Sequence, residues 1–251
     1  MTEVQVDAIL QELDRRLPEM ARDVIRRHLD VSQAQNIDFA KHPDSREHHQ
    51  TRWHQWGIIS HTRVFLRDFE VRVPEYLESW GLWEPVRHVL EVHIDGVSKL
   101  NLLRIAILLH DLGKFGARTR GKERFHFSGH EKLSGQIVTD ELDLAELGLT
   151  ADQISYIGLA ARDHFVLGTL RQNARSEGQF DAGFLASDRF EQLALEVKRQ
   201  HPDDWVEIGV LFLGDSLAKA NPPEGPEPAL EQYQLNIDTA HRYLSLVLGH
   251  L

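Results

Sequence analysis

Residues Leu100 to Lys114 read Leu-Asn-Leu-Leu-Arg-Ile-Ala-Ile-Leu-Leu-His-Asp-Leu-Gly-Lys, and no other stretch limits the fold as tightly. Up to His110 the run is apolar on nearly every side, the pattern of a helix buried in the middle of a globule. The helix ends by delivering an imidazole and a carboxylate, His110 and Asp111, side by side, with Gly113 as the expected stop. A carboxylate left alone in such an interior is costly, so it is expected to be paired or to hold a metal ion. An adjacent His and Asp at the end of a core helix therefore ask for a cation, and the remaining chain is read for further ligands.

Residues 3–29 read as one or two amphipathic helices interrupted at Pro18, with a packing role or a homodimer contact as the expectation. Residues 36–55 are polar and rich in histidine; His42, His48 and His49, like His201 and His250 elsewhere, are expected to be solvated, and His54 half-exposed. A helix then runs from about Trp56 to Phe69. Ile58, His61, Phe65 and Phe69 fall on one stripe of it, which turns His61 toward the core. Residues 71–98 read as a connection containing a helix from Pro85 to His93, with His88 and His93 structural or exposed.

Beyond the central helix, Ser128-Gly-His-Glu131 has the capping-box pattern and predicts a helix to about Leu147 with His130 in its first turn. Thr150-Ala-Asp-Gln153 is a second such signal. Its helix places Ile154, Ile157, Ala161 and Phe165 on one stripe and His164 on the flank. Residues 168–184 read as a loop carrying Arg171 and Arg175, and Ser187 or Asp188 caps a helix to about Gln200. A helix from Trp205 to Ala220 puts Asp215 on a face with Ile208, Leu211, Phe212 and Ala218. That is a carboxylate inside an apolar stripe, although Lys219, one turn on, can neutralise it without any metal. Pro222 and Pro223 end this helix, and a last one closes at about Leu248.

No repeat, no alternating strand pattern and no hairpin signal is read. The expected fold is all-α, a single-domain helical bundle. Residues 1–50 form an N-terminal extension packing on the core, 51–221 the metal-binding helical region, and 222–251 a Pro-rich linker with a C-terminal helix.

Composition narrows the function. The formal charge of −11 argues against general nucleic-acid binding, which needs a basic footprint. The absence of cysteine removes disulfides and thiolate metal sites. No apolar run reaches the length of a membrane span and no leader pattern is read, so a cytoplasmic protein is expected. Against this acidic background Lys114, Arg118, Arg120, Lys122 and Arg124 crowd into one loop beside His110 and Asp111. A solvated flexible loop is one reading. A phosphate-binding segment is the other, since charge developing on phosphoryl oxygens calls for Lys or Arg near the metal.

Singly, His61, His164 and Asp215 each have a bland explanation. Together they are polar groups pointing inward from separate helices, and one shared cation is the economical partner for all of them. Imidazole-rich ligation favours Fe, Mn, Co, Ni or Zn over Mg or Ca. With His130 and His164 completing a second site, Asp111 has the two oxygens needed to bridge two ions.

His61-Thr62, His110-Asp111-Leu-Gly-Lys114, Gly129-His130-Glu131, His164 and Asp215 resemble the H…HD…H…H…D pattern of the HD-domain superfamily of metal-dependent phosphohydrolases. The stretch Phe125 to Glu131 is similar to the HD region of some bacterial tRNA nucleotidyltransferases. The resemblance spans roughly residues 55–220 and implies an all-α phosphohydrolase acting on a nucleotide or related phosphoester. It implies that His61, His110, Asp111 and Asp215 hold a first divalent ion, with His130 and His164 binding a second ion or substrate phosphate. Asp111 is then the general base, and Lys114, with Arg118, meets the phosphoryl group. No Gly-Tyr-Pro signature of the cyclic-dinucleotide branch follows, and no nucleotidyltransferase domain is present. Two other expectations remain: a mixed-valent di-iron oxygenase with the same six ligands, and a non-catalytic nucleotide- or metal-binding regulator.

Overall fold

In a computed structural model that describes residues 3–121, 124–179 and 183–249, the chain begins with α1 (Glu3–His28), α2 (Ala34–Lys41), α3 (Ile58–Ser79) and α4 (Trp83–Leu90). A short antiparallel pair, β1 (His93–Ile94) and β2 (Val97–Ser98), leads into α5 (Lys99–Leu109) and α6 (Lys114–Ala117). A second pair, β3 (Thr119–Arg120) and β4 (Phe125–His126), precedes α7 (His130–Gln136), α8 (Ala151–Asp163) and α9 (Val166–Ser176). The chain closes with α10 (Asp188–Gln200), α11 (Trp205–Ala218) and α12 (Glu227–Gly249). The fold is all-α, built as one domain around one continuous hydrophobic core.

Two helices are swallowed by the rest, and both serve the site. In α5 the residues Leu102, Leu103 and Ile105 to Leu109 are buried, and Ser98 caps the helix by accepting a hydrogen bond from the Asn101 amide. Its one charged interior residue, Arg104, escapes sideways to Asp7 on α1 and Glu70 on α3. In α11 every residue from Val206 to Ala218 is buried, not only the face that carries Asp215. α5 packs against α1, α3 and α8, while α11 packs against α3, α9 and α12.

Several helices differ from their expected bounds, each for a physical reason. Pro18 does not interrupt α1, and α3 runs on through Pro74 to Ser79. An interior proline costs about 3 kcal/mol through its lost hydrogen bond and ring clash. In both helices the buried stripe continues past it, through Ala21, Val24 and Ile25 in α1 and from Val73 across the proline to Leu77 in α3. The expected loop of 168–184 is largely α9, whose Leu167, Leu170 and Ala174 form a buried stripe; residues 180–182 lie outside the described residues. Two small hairpins also occur where none is expected. The first turns at Asp95-Gly96, both at positive φ (48° and 81°), which is the hairpin chemistry of an Asp-Gly pair.

At the start of α7 the cap is Gly129, at φ +78°, with no side chain bonding the first turn, so Ser128 is not the N-cap. The helix gives way after Gln136 to a wider turn over 137–141 instead of continuing to Leu147. Gly113 does not stop α5 through a left-handed conformation, since its φ is −61°. It is required for closeness: a Cβ there would stand 2.0 Å from the His130 carbonyl oxygen and 2.6 Å from the Ser134 amide nitrogen. The Gly113 amide also donates to Ser134 Oγ at 2.9 Å. This contact draws the end of α5 onto α7 and brings Asp111 to His130.

Gly113→Ala should therefore destabilise the protein by about 3 kcal/mol or more, because backbone atoms have to move apart. Urea unfolding checks it. A loss under about 0.5 kcal/mol, normal for a surface change, would mean the approach is not tight.

Candidate metal centre

Helix ends assemble the site. His110 and Asp111 follow the last turn of α5, His61 projects from the first turn of α3, and His130 opens α7. His164 follows α8, and Asp215 belongs to the last turn of α11. All except His130 are buried to 3% exposure or less.

Each imidazole is fixed at Nδ1 by a backbone carbonyl. His110 bonds Ile107 O at 2.7 Å, His130 bonds Phe127 O at 2.8 Å and His164 bonds Ala161 O at 2.7 Å. All three use the carbonyl three residues earlier; His61 instead reaches across to Ala218 O at 3.3 Å. A carbonyl only accepts, so every ring carries its proton on Nδ1 and, when neutral, presents a bare lone pair at Nε2. Outer partners of this kind orient metal-ligating histidines.

The Nε2 atoms of His61, His110 and His130 face carboxylate oxygens. His61 Nε2 lies 2.9 Å from Asp215 Oδ1 and 3.9 Å from Asp111 Oδ2. His110 Nε2 is 3.2 Å from Asp111 Oδ2, and His130 Nε2 is 3.4 Å from Asp111 Oδ1. Acceptor faces acceptor at hydrogen-bond range, an arrangement that needs a proton or a cation between the two atoms. Burial works against the proton. It pushes His164 down to about 3, helped by the neighbouring charge of His110, and it pulls His61 down despite Asp215. His110 Nε2 and both oxygens of Asp111 have no aligned hydrogen-bond partner although all are buried.

Two groups have donor atoms within 4.8 Å of one another: His61, His110 and Asp215; and His110, Asp111 and His164. They share His110. Buried His and Asp groups at metal-binding distance are thus present. The metal-free alternative for Asp215 is present too, since Lys219 Nζ stands 2.8 Å from its Oδ2. That pairing leaves Oδ1 to His61. Lys114 Nζ is the counterpart on Asp111, 2.7 Å from Oδ2. Burial raises the pKa of both carboxyls, but the surrounding charges outweigh it. His110 and Lys114 hold Asp111, and Lys219 and His61 hold Asp215, well below the usual carboxylate range.

A cavity of about 450 Å³ opens onto these residues. Lys114, His130, His164, Asp215 and Lys219 line it, together with the aromatic rings of Trp53, Phe165 and Phe212. Arg124, Arg171 and Arg175 line it as well.

Arg118 is placed elsewhere. It is buried between the rings of Phe39 and Phe125, its guanidinium carbon 4.3 and 3.6 Å from their centroids, and it donates to His48 at 3.0 Å. Its charge is used to pack α2 and the second hairpin, not to meet a ligand in the cavity. Lys122, also counted in the basic loop, lies outside the described residues, as does His250.

Sequence reasoning passed over His48, His49 and His54, which are buried rather than solvated or half-exposed. His49 donates from Nδ1 to Trp56 O at 3.0 Å and accepts from Lys114 Nζ at 3.2 Å, so it steadies the lysine from behind. His54 stacks on His49 at 3.8 Å and lines the cavity. The available signal was Trp53 and Trp56, large apolar rings in a stretch otherwise polar enough to be surface.

No known protein-family model matches the chain, and no curated protein matches it. The site therefore rests on its geometry.

In chelator-treated protein the unfolded chain protonates His164 near its ordinary pKa of 6.5, whereas the folded ring stays neutral to about 3. The unfolded state then binds more protons across that window, so stability falls as pH drops through it. His164→Gln should lose less stability than wild type between about pH 7 and about pH 4.5, read from urea midpoints. Parallel losses would show that the ring is not held neutral by the fold.

Proposed function

We propose that this protein is a metal-dependent phosphoric ester hydrolase acting on a nucleotide or related small phosphoester, as the resemblance to the HD-domain superfamily implies. The observation that carries the reading is the set of buried imidazole lone pairs turned on Asp111 and Asp215. His61, His110, Asp111 and Asp215 would hold a first divalent ion, and His130 and His164 would bind a second ion or the substrate phosphate. An imidazole-rich donor set suits Fe, Mn, Co, Ni or Zn. Such an ion, when bound, supplies a lowered water pKa and polarises a phosphoryl oxygen.

The chain's own groups complete the reaction. The carboxylate of Asp111, kept ionised, accepts the proton of the attacking water as general base. Lys114, pinned between Asp111 and His49, presents its ammonium to the cavity and neutralises charge building on the phosphoryl oxygens. Lys219 and Arg124 add positive charge to the same walls. Trp53, Phe165 and Phe212 offer ring faces suited to a base or another flat group.

A mixed-valent di-iron oxygenase is the second reading, favoured by one observation: Asp111 turns Oδ2 toward His61 and His110 and Oδ1 toward His130, as a carboxylate shared by two ions would. A non-catalytic regulator using the same pocket is a third.

Elemental analysis of protein purified without added metal, followed by assay on a panel of phosphomonoesters and diesters, tests the proposal. Mn, Co or Ni in the protein as purified, with metal-dependent release of phosphate or nucleoside, is expected. Asp111→Ala should lower that turnover by about 10²–10⁴-fold with circular dichroism unchanged. Lys114→Ala should keep the metal and lose about 10²–10³-fold in kcat. Close to two irons per chain and oxygen-dependent chemistry would replace the hydrolase reading with the oxygenase one. Metal bound without turnover on any substrate would favour the regulator.

A further inference from the structure

A second cluster of metal-ligating side chains lies away from the cavity, where α8 ends and α10 turns into α11. Asp163 is the last residue of α8, His201 directly follows α10, and Asp204 directly precedes α11. His201 Nδ1 stands 3.2 Å from Asp163 Oδ2 and 3.6 Å from Asp204 Oδ1. One donor atom from each of the three residues falls within 4.8 Å of the others.

The local charges do not balance. Arg162 grips Asp163 with two bonds, at 2.8 and 2.7 Å, and Lys99 with Tyr156 holds the buried Glu207 at 2.8 and 2.9 Å. Asp204 is the carboxylate left over. It is 2% exposed, its Oδ2 has no hydrogen-bond partner, and it does not cap α11 with its side chain. A single imidazole nitrogen facing two carboxylates satisfies at most one of them with a proton. A carboxylate has about four lone-pair sites, so the fork from Arg162 leaves Asp163 free to ligate as well.

We infer that Asp163, His201 and Asp204 form a second, structural cation site for a divalent transition metal. One imidazole and two carboxylates suit Mn, Fe, Co, Ni or Zn, and the side chain of His201, 19% exposed, gives the ion a way in from solvent. The ion ties the end of α8 to the start of α11. His164 directly follows Asp163 and Asp215 lies on α11, so the outer site braces two candidate ligands of the central one. Nothing in this inference depends on the protein being a hydrolase.

The test uses the full chain, stripped with chelator and titrated with Zn²⁺ or Mn²⁺ by calorimetry, with thermal unfolding in parallel. His110→Gln and Asp111→Ala together disable the central site, and this background should still bind one ion and unfold at higher temperature in its presence. Adding Asp204→Asn, or His201→Gln at the more exposed position, should abolish both effects. Retained binding in both triple variants would overturn the site. So would a His110→Gln, Asp111→Ala background that neither binds the ion nor unfolds at a higher temperature in its presence. That result would mean the surplus carboxyl simply carries a proton. Catalytic activity enters none of these readouts, so failure here is separable from failure of the phosphoesterase reading.

Discussion

The structure depends on a confrontation of like with like. Imidazole lone pairs and carboxylate oxygens, both hydrogen-bond acceptors, are pressed together in an interior that excludes water. Each Nδ1 is committed to a carbonyl, so no ring can flip to relieve the contact without giving up a bond. A positive charge is the remaining remedy. Lys114 and Lys219 supply part of it, each to one oxygen of one aspartate. Hence the chemistry is concentrated where α3, α5, α7, α8 and α11 end or begin. The last turns of α5, α8 and α11 leave backbone carbonyls unsatisfied, and His110, His164 and His61 bond to them.

Much of the frame was legible because burial and periodicity report the same fact. The run Leu102 to Leu109 had to be inside, and His61 and Asp215 sat on stripes that had to follow it. Thr150 and Ser187 were readable because a cap is a local device: a side chain and an amide two or three residues away. What escaped was non-local or concealed by a familiar cue. Pro18 and Pro74 looked like ends because propensity was weighed without the buried face that carries the helix past them. Gly113 looked like a stop, although its lack of a side chain answers to His130 seventeen residues later. The Asp95-Gly96 turn was in plain view but too short to show as strand alternation.

The site was partly legible for the same reasons. The residues expected from His61 to Asp215 do converge, since each lies on, or directly after, a helix whose buried face the sequence already indicated. Arg118 did not join them, because a positive charge in a basic loop carries no information about direction. Its destination between Phe39 and Phe125 depends on α2, which no local pattern links to it. His49 and His54 were lost in the opposite sense. They sit in a segment without regular secondary structure, where no periodicity indicates inside from outside.

The two lysines carry one more consequence. Asp111 and Asp215 each hold an ammonium within their own helical neighbourhood, three and four residues along the chain. The acidic groups are therefore compensated from the moment their segments coil, and the bundle need not wait for an inorganic guest to collapse. Many small metal-binding domains, by contrast, are unfolded without their metal. An ion entering this site would have to compete with those resident charges, so its occupancy would be a matter of supply rather than a condition of folding.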